Sequence, residues 1–291
     1  MSRIVLTGAA GLIGKAVHRH LVAEGHDVAA YDRDGDGSSV ASADVMDATW
    51  MPRAFADADA VVHLAAYPGM WEGTPDEVYA TNTVGTFRVL WAAAEAGVPR
   101  IVYASSINAS GIPLHPEPRW PRAFPYDELE PAQLGDWYSA SKAAGEDLAR
   151  VVAARFPVDV VGLRYPLVRD LGARGGEPFR THVADLMRED PRRAACDGFS
   201  YLDLHDAARA VSAALVAPSH PECAVLVAAP TTYLRDDTAE VLAALAPHVP
   251  VVGIEGRSVA LDLARARNVL GFEATVVLDD VAPHALHAYL E

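Results

Sequence analysis

Residues 3–23 join a short apolar, β-prone run to an amphipathic stretch through a glycine-spaced turn, Thr7-Gly8-Ala9-Ala10-Gly11-Leu12-Ile13-Gly14. Glycine at such a junction permits a tight turn, lets the backbone approach a pyrophosphate, and lets the following helix pack closely on the strand. The helix N-terminus then presents unpaired N–H groups and the positive end of its dipole to an anion. Gly8, Gly11 and Gly14, with Leu12 and Ile13 between them, are therefore candidate cofactor contacts. Asp32 follows eighteen residues after Gly14, at the end of the next strand-like run. A carboxylate there accepts hydrogen bonds from adenosine ribose hydroxyls and repels a 2′-phosphate, so NAD is expected ahead of NADP. Arg33, the next residue, could serve a 2′-phosphate instead. A purely structural strand–helix turn and a solvated loop acid are the alternative readings of these two features.

The pattern repeats along the chain. Strands are expected at Ile4–Leu6, Asp27–Tyr31, Ala60–Leu64, Arg100–Ala104 and Val158–Leu163, and helices at Leu12–Ala23, Val84–Ala96 and Tyr138–Arg155. Short apolar strands alternating with helices imply βαβ units, hence an α/β, doubly wound parallel (Rossmann) sheet over residues 1–164. Beyond Tyr165 the pattern loosens, with loops at Arg174-Gly175-Gly176 and Asp197-Gly198 and helices expected around 180–190, 206–217, 236–246 and 279–290. Residues 165–291 are expected to form a smaller, partly discontinuous C-terminal substrate lobe, with about 200–228 returning to the sheet domain. Six prolines between Pro113 and Pro131 exclude regular structure there and imply a long loop over the carboxyl edge of the sheet.

Charge and composition exclude other classes. The 24 basic and 39 acidic residues leave a net charge of −15, which repels nucleic acid and anionic lipid, so neither is an expected partner. Two cysteines, Cys196 and Cys223, cannot build a disulfide framework, and neither a leader-like segment nor an 18-residue apolar run is present; a cytoplasmic protein is expected. Lys15 and Lys142 are the only lysines among the 24 basic residues. A lysine retained in such a chain is a candidate for chemistry that arginine cannot perform.

Lys142 follows Tyr138 by four residues, which puts ammonium and phenol on one helical face. A free tyrosine titrates near pH ~10, and a neighbouring ammonium is expected to favour the phenolate and make it a usable base. A packing tyrosine beside a surface lysine is the plainer alternative. The run Ile101-Val102-Tyr103-Ala104-Ser105-Ser106 ends a strand in two hydroxyls, and Ser106 could donate to a substrate oxygen as charge develops on it. Ser106 could equally be a simple cap. Ser105 and Asn108, on either side of it, are candidate substrate contacts.

With TGAAGLIG (7–14), Asp32, Asp44 in ASADVMD, His63-Leu64-Ala65-Ala66, Asn82 in TNTVGT, YASS (103–106), YSASK (138–142) and SYLDLHDAARA (200–210), the chain resembles the extended short-chain dehydrogenases/reductases, the NAD-dependent epimerase/dehydratase family. The resemblance implies that Asp44 and Val45 contact adenine, that Ala65 lines the nicotinamide side with Leu64 and Ala66 beside it, and that Asn82 supports the cofactor. It implies that Ser106, Tyr138 and Lys142 are catalytic, with Tyr138 and Lys142 also touching the cofactor. It further implies a homodimer through the helices beginning near Thr83 and Tyr138. His63 reads as a structural strand residue, and no metal site is expected.

Departures from the family pattern narrow the chemistry. Ser106-Ile107-Asn108-Ala109-Ser110-Gly111 lacks the Asp-Glu pair with which the family's dehydratases remove water, and Leu163-Arg164-Tyr165-Pro166-Leu167 lacks the epimerases' Asn and Gly-Pro. The expected function is therefore NAD-dependent hydride transfer at a secondary alcohol or ketone carbon of a sugar-like small molecule. An epimerase acting through a keto intermediate and a non-catalytic dinucleotide sensor are the alternatives. Arg169, Arg174 and Arg180 are candidates to meet a substrate phosphate, each of them also readable as solvated surface charge.

Overall fold

The computed structural model describes residues 1–218 and 224–278. Its first unit is strand β1 (Arg3–Thr7), helix α1 (Leu12–Ala23) and strand β2 (Asp27–Asp32), with α1 spanning the residues expected of it. β3 (Ala41–Ser42), α2 (Met51–Phe55) and β4 (Ala60–His63) follow. Residues 75–95 are helical throughout: α3 (Pro75–Ala80), a π-turn at Thr81–Gly85, and α4 (Thr86–Glu95). Thr74 starts this run with a capping box, accepting from the Glu77 N–H while the Glu77 carboxylate accepts from its own, and Pro75 occupies the first turn, where no amide is needed. β5 (Arg100–Ser106) leads through the proline-rich segment to α5 (Trp137–Arg155) and β6 (Asp159–Tyr165).

These strands and β9 (Ala224–Leu226) form a seven-stranded, wholly parallel sheet in the order β3-β2-β1-β4-β5-β6-β9. Strand alternation divides its apolar residues between two faces. Ile4, Leu6, Val62, Val102 and Val161 face a core completed by Val17 and Leu21 of α1 and by Val211 and Ala214 of α8 (Leu204–Val216). Val5, Val61, Ile101, Tyr103 and Val160 face the opposite core, with Phe55 of α2, Val89 and Leu90 of α4, and Ala149 and Val152 of α5. A sheet covered on both faces is the doubly wound fold that the βαβ alternation predicts.

The rest of the chain walls off the carboxyl edge of the sheet. β7 (Leu167–Arg169) pairs in parallel with β8 (Tyr201–Asp203), and between them lie α6 (Glu177–Glu189) and α7 (Pro191–Cys196). The SYLDL strand thus belongs to a separate two-stranded sheet, while α8 and β9 rejoin the main one. α9 (Thr238–Leu245) and a π-turn at Ala266–Leu270 follow. The proline-rich loop is held in part by one side chain: the Arg192 guanidinium donates to the carbonyls of Ile112, Pro113, His115 and Arg119. Phe124 and Tyr126 bridge the loop to Val251 and Leu261. The helix expected at 279–290 and Cys223 lie outside the described residues. No described helix is long and apolar enough to cross a membrane.

Candidate active site

The glycine turn folds into a tight cradle. Gly8 has φ +77°, and a Cβ there would lie 2.4 Å from the backbone nitrogen of Ala65; one on Gly14 would lie 2.0 Å from the Gly8 carbonyl oxygen. Gly11 is the N-cap of α1 and no side chain caps that helix, which leaves its first-turn N–H groups available to an anion. The Asp32 carboxylate accepts hydrogen bonds from the N–H groups of Ala10 (2.9 Å) and Asp34 (3.0 Å), tying the glycine turn to the end of β2.

Two cavities meet over this turn. The first, about 270 Å³, is lined by Gly8, Gly11, Asp32, Arg33, Asp44, Val45, Leu64, Ala65 and Ala66, all anticipated from sequence, together with Tyr67. Arg33 lies over the Tyr67 ring, 5.8 Å from its centroid, and donates to its hydroxyl. The second, about 480 Å³, reaches past Leu12, Ile13 and Gly14 to Ser106, Asn108, Tyr138 and Lys142. Leu64 and Ala66 line both cavities, whereas Ala65, expected on the nicotinamide side, lines the first.

Asn82 lies behind the wall of the cavities. On the π-turn, it accepts from the Tyr67 N–H (2.8 Å) and donates to the Tyr67 carbonyl and to Ser141 Oγ. Ser141 donates in turn to the Tyr138 carbonyl. The Asn82 side chain therefore fixes the loop after β4 against the start of α5. His63 is buried with both ring nitrogens engaged, Nδ1 with Thr7 Oγ1 (2.8 Å) and Nε2 with Thr86 Oγ1 (3.1 Å). Burial pushes its pKa down to about 3, so it is neutral, and no metal-binding cluster occurs among the described residues.

Ser106, Tyr138 and Lys142 come together at the carboxyl edge of β5. α5 starts one residue ahead of the expected position, with the Asp136 side chain capping the N–H of Ser139 at 2.8 Å. Ser106 Oγ accepts from the Asn108 backbone N–H and side-chain amide at 3.2 and 3.3 Å, and a hydrogen bond links it to the Tyr138 phenol. Lys142 Nζ donates to the Ala104 carbonyl at 3.1 Å and lies 5.7 Å from the centroid of the Tyr138 ring. The electrostatics correct the sequence argument. Burial pushes the Tyr138 phenol up to about 12, the Ser106 hydrogen bond opposes that rise, and Glu72 and Asp136 add to it. Burial also pushes the Lys142 ammonium down to about 8, against the pull of Glu146. Burial is thus the largest influence on the phenol, followed by the Ser106 hydrogen bond.

Of the candidate substrate residues, Asn108 and Arg169 line the second cavity. Ser105 lines it too, but its hydroxyl is committed to Glu146 Oε1 at 2.6 Å. Arg174 and Arg180 do not line it: Arg174 is exposed in the turn before α6, and Arg180 donates back to the Gly175 carbonyl. The left-handed backbone at Arg174 and Gly175 (φ 48° and 66°) carries that turn out to solvent. The far wall consists of residues that no sequence motif marks: Trp71, Glu72, His182, Arg193, Asp197 and Tyr233.

Comparison with known proteins places this geometry among relatives. The model of the NAD dependent epimerase/dehydratase family matches residues 4–227. The chain is 34% identical over 170 residues to an L-arabinose 1-dehydrogenase (NAD(P)(+)) of Haloferax volcanii, covering 56% of this chain and 66% of the relative. It is 31% identical over 209 residues to a 2-alkyl-3-oxoalkanoate reductase of Stenotrophomonas maltophilia, covering 69% of this chain and 60% of the relative. Both matches span less than two thirds of the relative's length. Among solved structures, a short-chain dehydrogenase/reductase superfamily protein from Agrobacterium tumefaciens with bound NAD superposes with a TM-score of 0.72 at 26% identity, covering 98% of this chain and 96% of that one.

Proposed function

Because the chain belongs to the NAD-dependent epimerase/dehydratase family, we propose that it is an NAD-dependent oxidoreductase acting at a secondary alcohol or ketone carbon of a sugar-like small molecule. The observation that carries this reading is the convergence of Ser106, Tyr138 and Lys142 on one cavity that opens onto the glycine cradle and Asp32. The residues present fit a dinucleotide. The first-turn N–H groups of α1 would meet its pyrophosphate, Asp32 its adenosine ribose, and the Asp44–Val45 wall its adenine. When bound, the nicotinamide supplies the hydride acceptor or donor, and the positive charge of its oxidised form favours the tyrosinate.

The chain's own groups manage the proton. With its phenol pushed up to about 12, Tyr138 holds its proton at neutral pH and is set to donate to a carbonyl oxygen during reduction. In oxidation the tyrosinate takes the hydroxyl proton of the substrate while the carbinol C–H bond gives up its hydrogen with the electron pair. Ser106 donates to the same oxygen, its acceptor side already occupied by Asn108, so that charge developing there meets an oriented O–H. Lys142, anchored on the Ala104 carbonyl, keeps a cation beside the phenol.

A stretch without a carboxylate after Ser106 favours net oxidation or reduction over dehydration. The proposal includes a cytoplasmic homodimer formed across the exposed apolar residues Val84 of the π-turn, Phe87 of α4 and Val151 of α5, with sedimentation velocity as its check. The activity itself is tested by mixing the purified protein with NAD and a panel of sugars. Stoichiometric substrate loss with a rise in absorbance at the NADH band supports the dehydrogenase, and isomer formation without net NADH supports an epimerase.

A further inference from the structure

The second cavity holds a charge with no ion-pair partner among the described residues. Arg169, the last residue of β7, lines it and is half-buried. Among the described residues its one hydrogen bond is from Nη1 to the carbonyl of its neighbour Val168, at 2.8 Å, and it has no ion pair. The carboxylates around it are otherwise engaged. Asp203, its register partner across β7 and β8, accepts from the N–H groups of His205 and Leu171. Asp170 accepts from those of Gly172 and Ala173. Glu72, the carboxylate whose charge reaches Arg169, is exposed and does not pair with it.

The other arginine of this wall makes the contrast. Arg193 has Asp197 at 3.7 Å and lies over the Trp71 ring, 5.4 Å from its centroid. His182 lines the same cavity and is held below its usual titration range by burial and by the charges of Arg169 and Arg193, against the pull of Asp185. In a chain with 39 acidic residues against 24 basic ones, an unmatched, partly desolvated guanidinium does not reflect a shortage of carboxylates. Removing such a charge from water is unfavourable unless an anion completes it, and a planar guanidinium suits the two oxygens of a carboxylate or phosphate.

Resting on the reading of this cavity as the hydride-transfer site, we infer that the substrate is an anionic sugar derivative whose carboxylate or phosphate pairs with Arg169. His182 donates a further hydrogen bond to that group, while Tyr138 and Ser106 hold the reacting oxygen at the opposite end of the molecule. The inference is tested by calorimetric binding to the NADH-loaded protein, in which no oxidation can proceed. Three pyranoses that differ only at C6 serve as probes: D-glucose, D-glucuronate and D-glucose 6-phosphate. At least one charged sugar should bind tenfold or more tightly than glucose, and which one does so distinguishes carboxylate from phosphate. Arg169→Gln should remove at least tenfold of that advantage and leave NADH and glucose affinities within threefold, while Arg169→Lys retains part of it. Equal binding of all three sugars, failure of both anions to bind, or an anion preference that survives Arg169→Gln overturns the inference. Failure of the hydride-transfer reading would appear separately, as absence of NADH formation when the tighter-binding sugar is mixed with the NAD-loaded protein.

Discussion

Arg164 of β6 and Glu146 of α5 form a buried two-point ion pair, with Nε to Oε1 and Nη2 to Oε2 both at 2.7 Å. Ser105 donates to the same carboxylate, and Glu146 lies one helical turn beyond Lys142 on α5. A network of this kind fixes α5 against β5 and β6, and removing one partner strands the other charge in the core. Glu146→Gln should therefore destabilise the fold by about 3 kcal/mol, at the lower end for a broken buried pair. Urea denaturation followed by circular dichroism measures this, and a loss below about 1 kcal/mol would contradict the assignment.

Gly14 has no room for a side chain. A methyl group there would lie 2.0 Å from the Gly8 carbonyl oxygen and 2.9 Å from the Ala9 Cα, both of them backbone atoms that cannot swing aside. Gly14→Ala is expected to weaken NAD binding at least a hundredfold by calorimetry, through displacement of the cradle. Unchanged affinity in a folded Gly14→Ala protein would show that the turn is not the pyrophosphate site.

Asp32 acts twice, holding the glycine turn through the N–H groups of Ala10 and Asp34 and placing a negative charge at the first cavity. Asp32→Asn retains an acceptor while removing the charge. The ratio of NAD to NADP affinity should fall at least tenfold, chiefly by improved NADP binding, since Arg33 at the cavity then meets a 2′-phosphate without the Asp32 charge against it. A ratio unchanged by this substitution would remove Asp32 from the specificity argument.

His63 gives the fold an acid limit. Its folded pKa of about 3 lies below the ordinary value of 6.5, so between those limits the unfolded chain binds a proton that the folded chain refuses. The contribution is fully present above pH ~6.5 and is lost as pH falls toward ~3, at up to about 1.4 kcal/mol per pH unit. His63→Gln should flatten the dependence of stability on pH between 6 and 4 by about one proton, measured by urea denaturation at a series of pH values. An unaltered slope would show that another group sets it.

Much of the site was legible because its signals are local. The strand–turn–helix spacing of Gly8, Gly11 and Gly14, the acid at the end of β2, and the four-residue step from Tyr138 to Lys142 each act within one or two elements. The anchoring roles of Ser105 and Asn82 were not legible, since they depend on Glu146 and on Tyr67, which only tertiary packing brings near. The far wall was hidden for the same reason: His182, Arg193, Asp197 and Tyr233 come from segments without a shared periodicity, gathered by the short β7–β8 pairing. β9, three residues long, carries too little pattern to announce a strand. Arg174 and Arg180 looked equivalent to Arg169 in sequence, but Arg174 sits exposed in the left-handed turn ahead of α6 and Arg180, on α6, donates back to the Gly175 carbonyl. The raised pKa of Tyr138 was not legible because burial, which acts on phenol and ammonium alike, has no sequence signature.

The most direct test of the account is single-turnover hydride transfer in Tyr138→Phe, compared with wild type alongside NAD affinity by calorimetry. Loss of the phenolic hydroxyl should slow transfer at least a thousandfold while leaving the dissociation constant for NAD within about threefold. Transfer at a near wild-type rate in that variant would contradict the assignment of Tyr138 as the group that moves the proton.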